Sequence, residues 1–137
     1  MSDEQRIAAV AAKQPAFATY LGFRLVSAEP DMVVGELPVK EELANRNGML
    51  HGGAIMALAD NVGGTATFIN LADEFFTVTV ESKTNFFRAI RIGETARATC
   101  RPLHKGRTTM VWETRITGDD GKLAAIVTQT QLVMTRS

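Results

Sequence analysis

A helical hydrophobic pattern occupies the middle of this chain. Apolar side chains recur there at the spacing of one helical face. The members of this stripe are Ile55, Leu58, Ala59, Val62, Ala66 and Ile69. The positions between them are mostly small rather than charged, so the helix lacks a charged outer face. The pattern predicts a helix over 54–71 that other structure should wrap.

The pattern after this helix is typical of β-strands. Four segments are rich in Val, Thr, Ile and Phe, and Gly93, Lys105-Gly106 and Asp119-Asp120-Gly121 supply turn chemistry between them. The predicted strands are Phe75 to Phe87, Glu94 to Leu103, Thr108 to Thr117 and Leu123 to Met134.

The region before the central helix predicts two short helices and a hairpin. An Ala-rich segment over 3–13 has helical spacing, and a second helix over 15–20 should end at Gly22. The hairpin spans 23–39, with Pro30-Asp31 as its turn. A long antiparallel sheet curled around one central helix accommodates this order, so the predicted fold class is α+β.

Composition indicates one domain over residues 1–137. Hydrophobic residues make up 45% and charged residues 22%, as in globular proteins. Because Lys plus Arg and Asp plus Glu are both 15, no global field attracts nucleic acid, and any anion site must be local. No apolar stretch approaches the roughly 18–20 residues of a membrane span, so a cytoplasmic protein without membrane contact is expected.

The cysteine and histidine content argues against two kinds of structural site. Cys100 is the only cysteine, so no internal disulfide is possible, and a structural role in a strand is predicted for it. One thiol with two histidines also makes a zinc cage improbable, and no metal or other cofactor is expected.

Two features at the central helix suggest chemistry. Gly52-Gly53 precedes it, and glycines let a ligand approach the unpaired N–H groups at a helix start, where the dipole favours a developing oxyanion. Asp60 is the only carboxylate between Glu42 and Asp73 and falls in a segment expected to be buried, where an ionised acid is costly. The alternative for the glycines is a plain tight turn. The alternatives for Asp60 are a solvent-facing or capping acid, or an acid satisfied by neighbouring backbone.

The spacing of these features predicts a shared site. Gly52 and Asp60 are eight residues apart, about 12 Å along a helix. A base or nucleophile and an oxyanion donor must both lie ~3 Å from one reacting centre. If both groups are catalytic, two antiparallel copies of the helix are needed, across a two-fold dimer interface.

The motif itself resembles a known family. The run N-x-x-G-x-L-H-G-G-x-x-x-x-L-A-D, from Asn45 to Asp60, resembles the phenylacetic-acid-degradation-type thioesterases of the hotdog superfamily. The segment from Thr79 to Arg88 looks like the strand after the family's helix, and Lys105-Gly106-Arg107 looks like its basic turn. The resemblance covers roughly 21–134. Ala89 departs from it, since proline is common there in the family.

The resemblance implies a fold, an assembly and a reaction. The family wraps its sheet around the helix, joins two sheets in a homodimer and often pairs dimers into homotetramers. It hydrolyses the thioester of an acyl- or aryl-CoA to the free acid and CoA. By similarity, the Gly52 N–H polarises the thioester carbonyl, and Asp60 of the partner subunit is the nucleophile or the general base for water.

The resemblance also assigns supporting residues. Asn45 would orient the carbonyl or the water, and Thr79 would hold the water. His51 would shape the loop and hydrogen-bond near the thioester sulfur. For His51, simple satisfaction of backbone groups at the turn is an equal alternative. Arg88 and the turn Lys105-Gly106-Arg107 would bind the CoA nucleotide, or they are plain solvated charges. Met49, Met56, Phe86 and Phe87 are expected in the core or the acyl pocket.

Two other functions fit the same fold. A hotdog dehydratase or hydratase relies on a histidine paired with an acid, whereas His51 precedes the helix here. A non-catalytic acyl-CoA-binding module has little use for Asp60. The chain has no G-x-S-x-G motif, so the serine-hydrolase route is disfavoured.

Overall fold

The computed structural model describes residues 1–137 and confirms the predicted order of elements. The helices are α1 (Asp3–Ala11), α2 (Ala16–Leu21) and α3 (Gly52–Phe68), with a 3₁₀ turn at Glu41–Leu43. The strands are β1 (Arg24–Glu29), β2 (Met32–Pro38), β3 (Phe75–Phe86), β4 (Thr95–Lys105), β5 (Thr109–Thr117) and β6 (Leu123–Thr135). The central helix begins two residues earlier and ends three earlier than the pattern predicts.

The six strands form one antiparallel sheet in the order β1-β2-β4-β5-β6-β3. The two edges are therefore β1 and the 12-residue strand β3, whose outer side has no partner in the chain. The α+β class and the long antiparallel sheet against one central helix are confirmed.

Helix α3 packs its predicted apolar stripe against strands β2 to β6. Leu58 and Val62 are buried under 2% exposure and join the core with Trp112. The Trp112 Nε1 donates to Thr67 Oγ1 at 2.8 Å, which satisfies two buried polar groups and ties the helix to β5. The face of α3 that carries the stripe is thus fixed against the sheet.

The helix ends in the N-terminal region follow standard capping chemistry. Ser2 and Gln5 form a reciprocal capping box at the start of α1. Gly22 ends α2 in the left-handed region at φ 90°, which favours glycine. None of the three α-helices combines the length and apolar character that crossing a bilayer requires.

The expectation that α3 is wrapped on all sides is wrong for the single chain. The sheet covers one face, and Gln14, in the segment after α1, contacts Asn61 and Thr65, but the rest of the outer face stays open. Met56 is 38% and Phe68 43% exposed there, and Asp60 is exposed as well. The predicted burial of Asp60 is corrected accordingly, because periodicity defines a stripe without saying what lies behind it. Phe86 and Phe87 are also exposed rather than in the core.

Cys100 lies in β4 on the core side of the sheet and is fully buried. Burial disfavours the thiolate and raises the pKa of Cys100 to about 11, although a hydrogen bond with Thr114 acts in the opposite direction. The thiol therefore stays protonated at neutral pH and packs as a small apolar group.

Candidate active site

The Asp60 carboxylate is held by one of its two oxygens. Oδ1 accepts a hydrogen bond from Thr79 Oγ1 at 2.7 Å and another from Gln129 Nε2 at 2.6 Å. Oδ2 has no hydrogen-bond partner. Asp60 lines a cavity of about 290 Å³ between α3, β3 and the segment after α1. One oxygen is thus fixed in direction and the other is free to react or to hold a water.

A chain of hydrogen bonds on the inner side of the sheet sets the direction of the Thr79 hydroxyl. Gln131 Nε2 donates to Thr79 Oγ1 at 2.6 Å, and Gln131 Oε1 accepts from Thr77 Oγ1 at 2.7 Å. Because Gln131 supplies a donor to Thr79, the Thr79 proton points to Asp60. Gln131 is only 1% exposed, which fixes this arrangement against solvent competition.

Gln129 contacts Asp60 across a position of α3 that has no side chain, Gly63. It is 1% exposed, and its amide nitrogen faces the carboxylate, the orientation that avoids opposing two oxygens. A Cβ built on Gly63 would lie 1.5 Å from Gln129 Oε1. Gly63 therefore makes room for the side chain that binds Asp60.

Sequence reasoning missed both glutamines. They follow Ala125 and Val127 at alternate positions of β6, the side that faces the core. Two amides on an otherwise apolar strand face are the signal that was available, since buried amides need polar partners. The identity of those partners depends on where α3 and β3 lie.

Gly52 forms the second part of the candidate site. It is the first residue of α3, and its N–H donates to no acceptor in the chain. The N–H of Gly53 is taken by His51 Nδ1 at 2.8 Å. The structure thus distinguishes two neighbouring glycines that the sequence leaves equivalent. The N–H of Gly52 is free, whereas that of Gly53 is already hydrogen-bonded.

Asn45 and Gly52 line a second cavity, of about 490 Å³, together with Phe86 and Arg88. Asn45 Oδ1 accepts from the N–H groups of Asn47 at 2.9 Å and Met49 at 3.1 Å, which closes the loop before the helix. The Asn45 amide nitrogen makes no hydrogen bond. It is the atom through which Asn45 can contact a carbonyl or a water.

His51 acts as the N-cap of α3. Its Nδ1 accepts from Gly53, so the neutral ring carries its proton on Nε2. Within the chain, no carboxylate contacts the His51 side chain. This contact is the one expected if His51 satisfies a backbone group at the turn, and its Nε2 side stays available for a ligand.

The two parts of the site lie apart within one chain. Asp60 and Gly52 are on the same straight element, eight residues and about 12 Å apart. The cavity at Asp60 and the cavity at Gly52 share no lining residue. The structure brings together Asp60 with Thr79 and, separately, Asn45 with Gly52 and Arg88.

Within one chain, the predicted basic residues lie at two separate places on the sheet. Arg88 follows the end of β3 that pairs with Ala125, whereas Lys105 lies at the other end of the sheet, opposite Met110. Gly106 closes the β4–β5 turn by donating its N–H to Thr109, with Arg107 exposed beside it.

Lys105 already has partners of its own. Its Nζ forms an ion pair with Asp31 at 2.6 Å and approaches Asn70 Oδ1 at 3.3 Å. Lys105 therefore joins the β1–β2 turn to the end of α3. The pairing was hidden in the sequence because it depends on the placement of the hairpin turn.

Similarity to known proteins agrees with this geometry. The sequence model of the thioesterase superfamily matches residues 47–125. The proofreading thioesterase EntH of Cronobacter turicensis is 32% identical over 103 residues, which are 75% of this chain and 74% of that protein. The 1,4-dihydroxy-2-naphthoyl-CoA hydrolase of Escherichia coli is 32% identical over 104 residues, 76% of either chain.

Solved structures give the same result. A mutant of thioesterase PA1618 from Pseudomonas aeruginosa superposes with a TM-score of 0.88 at 30% identity, over 99% of this chain and 96% of that one. The PaaI protein of Escherichia coli shares the fold, with a TM-score of 0.86 at 22% identity over 97% and 94% of the chains. The hotdog fold is confirmed. The chain belongs to the thioesterase superfamily and is a thioester hydrolase.

Proposed function

We propose that the chain hydrolyses an acyl- or aryl-CoA to the free acid and CoA at a site shared by two subunits. Asp60 of one subunit would face the Gly52 N–H of the partner subunit. The observation that carries this proposal is the pair of unsatisfied groups on α3: a carboxylate with one free oxygen and a helix N-terminal donor without an acceptor. About 12 Å along the helix keeps them apart in one chain.

An antiparallel dimer would bring the two parts together. Met56 lies midway between Gly52 and Asp60, so a two-fold axis passing near Met56 sets each Asp60 against the partner's Gly52. Strand β3 fits the same axis, because Thr79 lies beside Asp60 and Phe86 lies beside Gly52. Pairing of two β3 edges around 82–83 would extend the sheet across the dimer.

Two features of β3 support that interface. Its edge is long and unpaired, a form that monomeric proteins usually avoid. Val80 is 57% exposed on it. Pairing of two dimers into a tetramer stays a prediction, which light scattering checks.

In the general-base route, Asp60 Oδ2 takes a proton from water while the water oxygen attacks the thioester carbon. The carbonyl oxygen becomes an oxyanion that the partner's Gly52 N–H and the helix dipole stabilise. Collapse of the intermediate breaks the C–S bond, and the proton held by Asp60 passes to the leaving thiolate. Thr79 can accept a hydrogen from the same water through its remaining lone pair.

In the nucleophilic route, Asp60 Oδ2 attacks the carbonyl carbon itself and the thiolate leaves, which gives a mixed anhydride. Water then cleaves the anhydride and regenerates the carboxylate. A single turnover in H₂¹⁸O separates the routes. The general-base route puts the label only in the released acid, whereas attack of water on the aspartyl carbonyl leaves the label in Asp60.

The remaining predicted residues take supporting roles in this proposal. The Asn45 amide nitrogen would donate to the substrate carbonyl beside Gly52, and His51 would hold the loop in place through the N-cap. Arg88 borders the Gly52 cavity, where the CoA arm would enter. The turn with Lys105, Gly106 and Arg107 lies at the same end of the sheet as Thr79. In the proposed dimer, this end of the sheet is the one that faces the partner's Arg88.

Thiol release tests this function. Wild type and Asp60→Asn are compared on short, medium and aryl acyl-CoAs with a disulfide reagent. The proposal expects kcat to fall by ~10²-fold or more while the fold and the dimer persist. Comparable turnover in Asp60→Asn contradicts the role of Asp60. Binding of acyl-CoA without thiol release by the wild type favours a non-catalytic binding module.

A further inference from the structure

A third cavity, with a polar lining, adjoins the one at Gly52. It has a volume of about 330 Å³ and lies between the segment after β3 and the β5–β6 turn. Arg88 and Ala89 line both cavities, so they are contiguous. Arg91 and Lys122 also line the third cavity.

The cations of this cavity have no protein partner. Arg88, Arg91 and Lys122 are exposed, and none of their side chains forms an ion pair or a hydrogen bond within the chain. Arginine supplies a planar fork of donors that matches phosphate oxygens, and lysine supplies a compact charge. In a chain of zero net charge, anion affinity has to come from such a local group.

The acids of the same cavity are engaged by the backbone. Glu94 accepts from the N–H of Arg91 at 2.8 Å with one oxygen and from the N–H of Asp119 at 3.1 Å with the other. Asp120 accepts from the N–H of Lys122 at 2.9 Å. The two carboxylates therefore shape the loops and leave the three cations free for a ligand.

The loop that carries the arginines is tied to the loop that carries Gly52. Ile90 is buried at 1% exposure between Arg88 and Arg91, and its carbonyl accepts from the N–H of Leu50 at 2.7 Å. The Arg88 N–H also donates to Ala124 at 3.2 Å, two residues after Lys122. The backbone that carries these cations is thus held at a fixed position relative to the free Gly52 donor.

We propose that Arg88, Arg91 and Lys122 form the binding site for the phosphate groups of the CoA nucleotide. This inference rests on the proposed function, since it takes CoA as the thiol carrier. The thioester would lie at Gly52, and the arm of CoA would leave that cavity past Arg88 and Ala89. Arg91 and Lys122 thereby join a subsite for which the sequence indicates only Arg88 and the Lys105–Arg107 turn.

The test compares two substrates with the same acyl group, acyl-CoA and acyl-pantetheine, which lacks the phosphates. In the double variant Arg91→Gln/Lys122→Gln, the ratio of kcat/KM for acyl-CoA to kcat/KM for acyl-pantetheine should fall ~10-fold or more. Arg101→Gln, an exposed cation elsewhere on β4, is the matched control and should leave the ratio unchanged. An unchanged ratio in the double variant overturns the assignment.

A binding measurement keeps this test independent of hydrolysis. Adenosine 3′,5′-bisphosphate is titrated calorimetrically into wild type and the same variants. Weakening by ~10-fold or more in the double variant alone supports the phosphate site, even if the wild type hydrolyses neither thioester and the proposed function fails. Equal affinity in wild type and the double variant overturns the site, even if acyl-CoA is hydrolysed.

Discussion

Gly63 leaves free the space that the Gln129 side chain occupies beside Asp60, because a Cβ on Gly63 would lie 1.5 Å from Gln129 Oε1. The absence of that Cβ lets Gln129 Nε2 reach Asp60 Oδ1 at 2.6 Å. The glycine at this position of α3 thus permits the hydrogen bond that orients Asp60 of the same helix.

Gly63→Ala should therefore damage both stability and activity. The methyl group displaces Gln129, and overpacking of a core contact costs about 1–3 kcal/mol of unfolding free energy. Activity should fall by ~10-fold or more, measured by thiol release alongside thermal unfolding. Gly64→Ala is the control for stability, because its Cβ meets no atom within 4 Å and a helical Gly-to-Ala change stabilises by about 0.5–1 kcal/mol. Equal unfolding free energies in the two variants contradict the contact.

Gln131 should act on Asp60 only through Thr79, since it donates to the Thr79 hydroxyl at 2.6 Å. Gln131→Leu and Thr79→Val should each lower kcat by ~10-fold, within the range of a group that positions a proton. The double variant should be close to the worse single variant rather than the product of both. Kinetics of the four proteins test this, and independent, multiplicative effects would refute the chain of hydrogen bonds.

The role of His51 as a cap predicts a separation between stability and chemistry. His51→Ala removes the acceptor for the Gly53 N–H and should cost about 1 kcal/mol of unfolding free energy. His51→Asn supplies a preferred capping side chain and should restore both stability and most of the turnover. If His51→Asn is stable yet as inactive as His51→Ala, the histidine has a direct catalytic role instead.

Cys100 predicts a pH dependence at the alkaline end. Because its pKa is raised from 9.0 to about 11, the folded protein holds this proton more tightly than the unfolded chain. The raised pKa adds about 2–3 kcal/mol to the free energy of unfolding. This contribution is present in full below pH 9 and is lost as the pH rises from about 9 to 11. Denaturant unfolding of wild type and Cys100→Ala across this window measures it. If the free energy of unfolding changes equally with pH in the two proteins, the raised pKa of Cys100 is contradicted.

Much of the fold follows from the sequence, and the reasons are local. The stripe through Leu58 and Val62 defines the buried face of α3, and the turn residues around Gly93 and Gly121 mark the strands. The exposure of Asp60 does not follow, because a helical stripe carries no information about what covers the opposite face. Asp60 itself stands out as an isolated acid, and its spacing from Gly52 already requires two chains if both react.

The site partners were beyond the sequence for a different reason. Gln129 and Gln131 meet Asp60 and Thr79 only because β6 pairs with β3 in one register and α3 crosses both. The same holds for Arg91 and Lys122, which are 31 positions apart and meet where the segment after β3 approaches the β5–β6 turn. Such contacts depend on how the elements pack in three dimensions, which residue patterns along one strand do not indicate.

The shared site is tested most directly by complementation between two inactive variants. Asp60→Ala retains the Gly52 donor, and Gly52→Pro retains Asp60 but lacks the donor. Unfolding and refolding an equal mixture forms heterodimers, each with one intact site if the site joins two subunits. About a quarter of wild-type thiol release should then return, since half the dimers are mixed and half their sites are whole. Mixed dimers that form yet remain as inactive as either parent would contradict a site shared between Asp60 and the partner's Gly52.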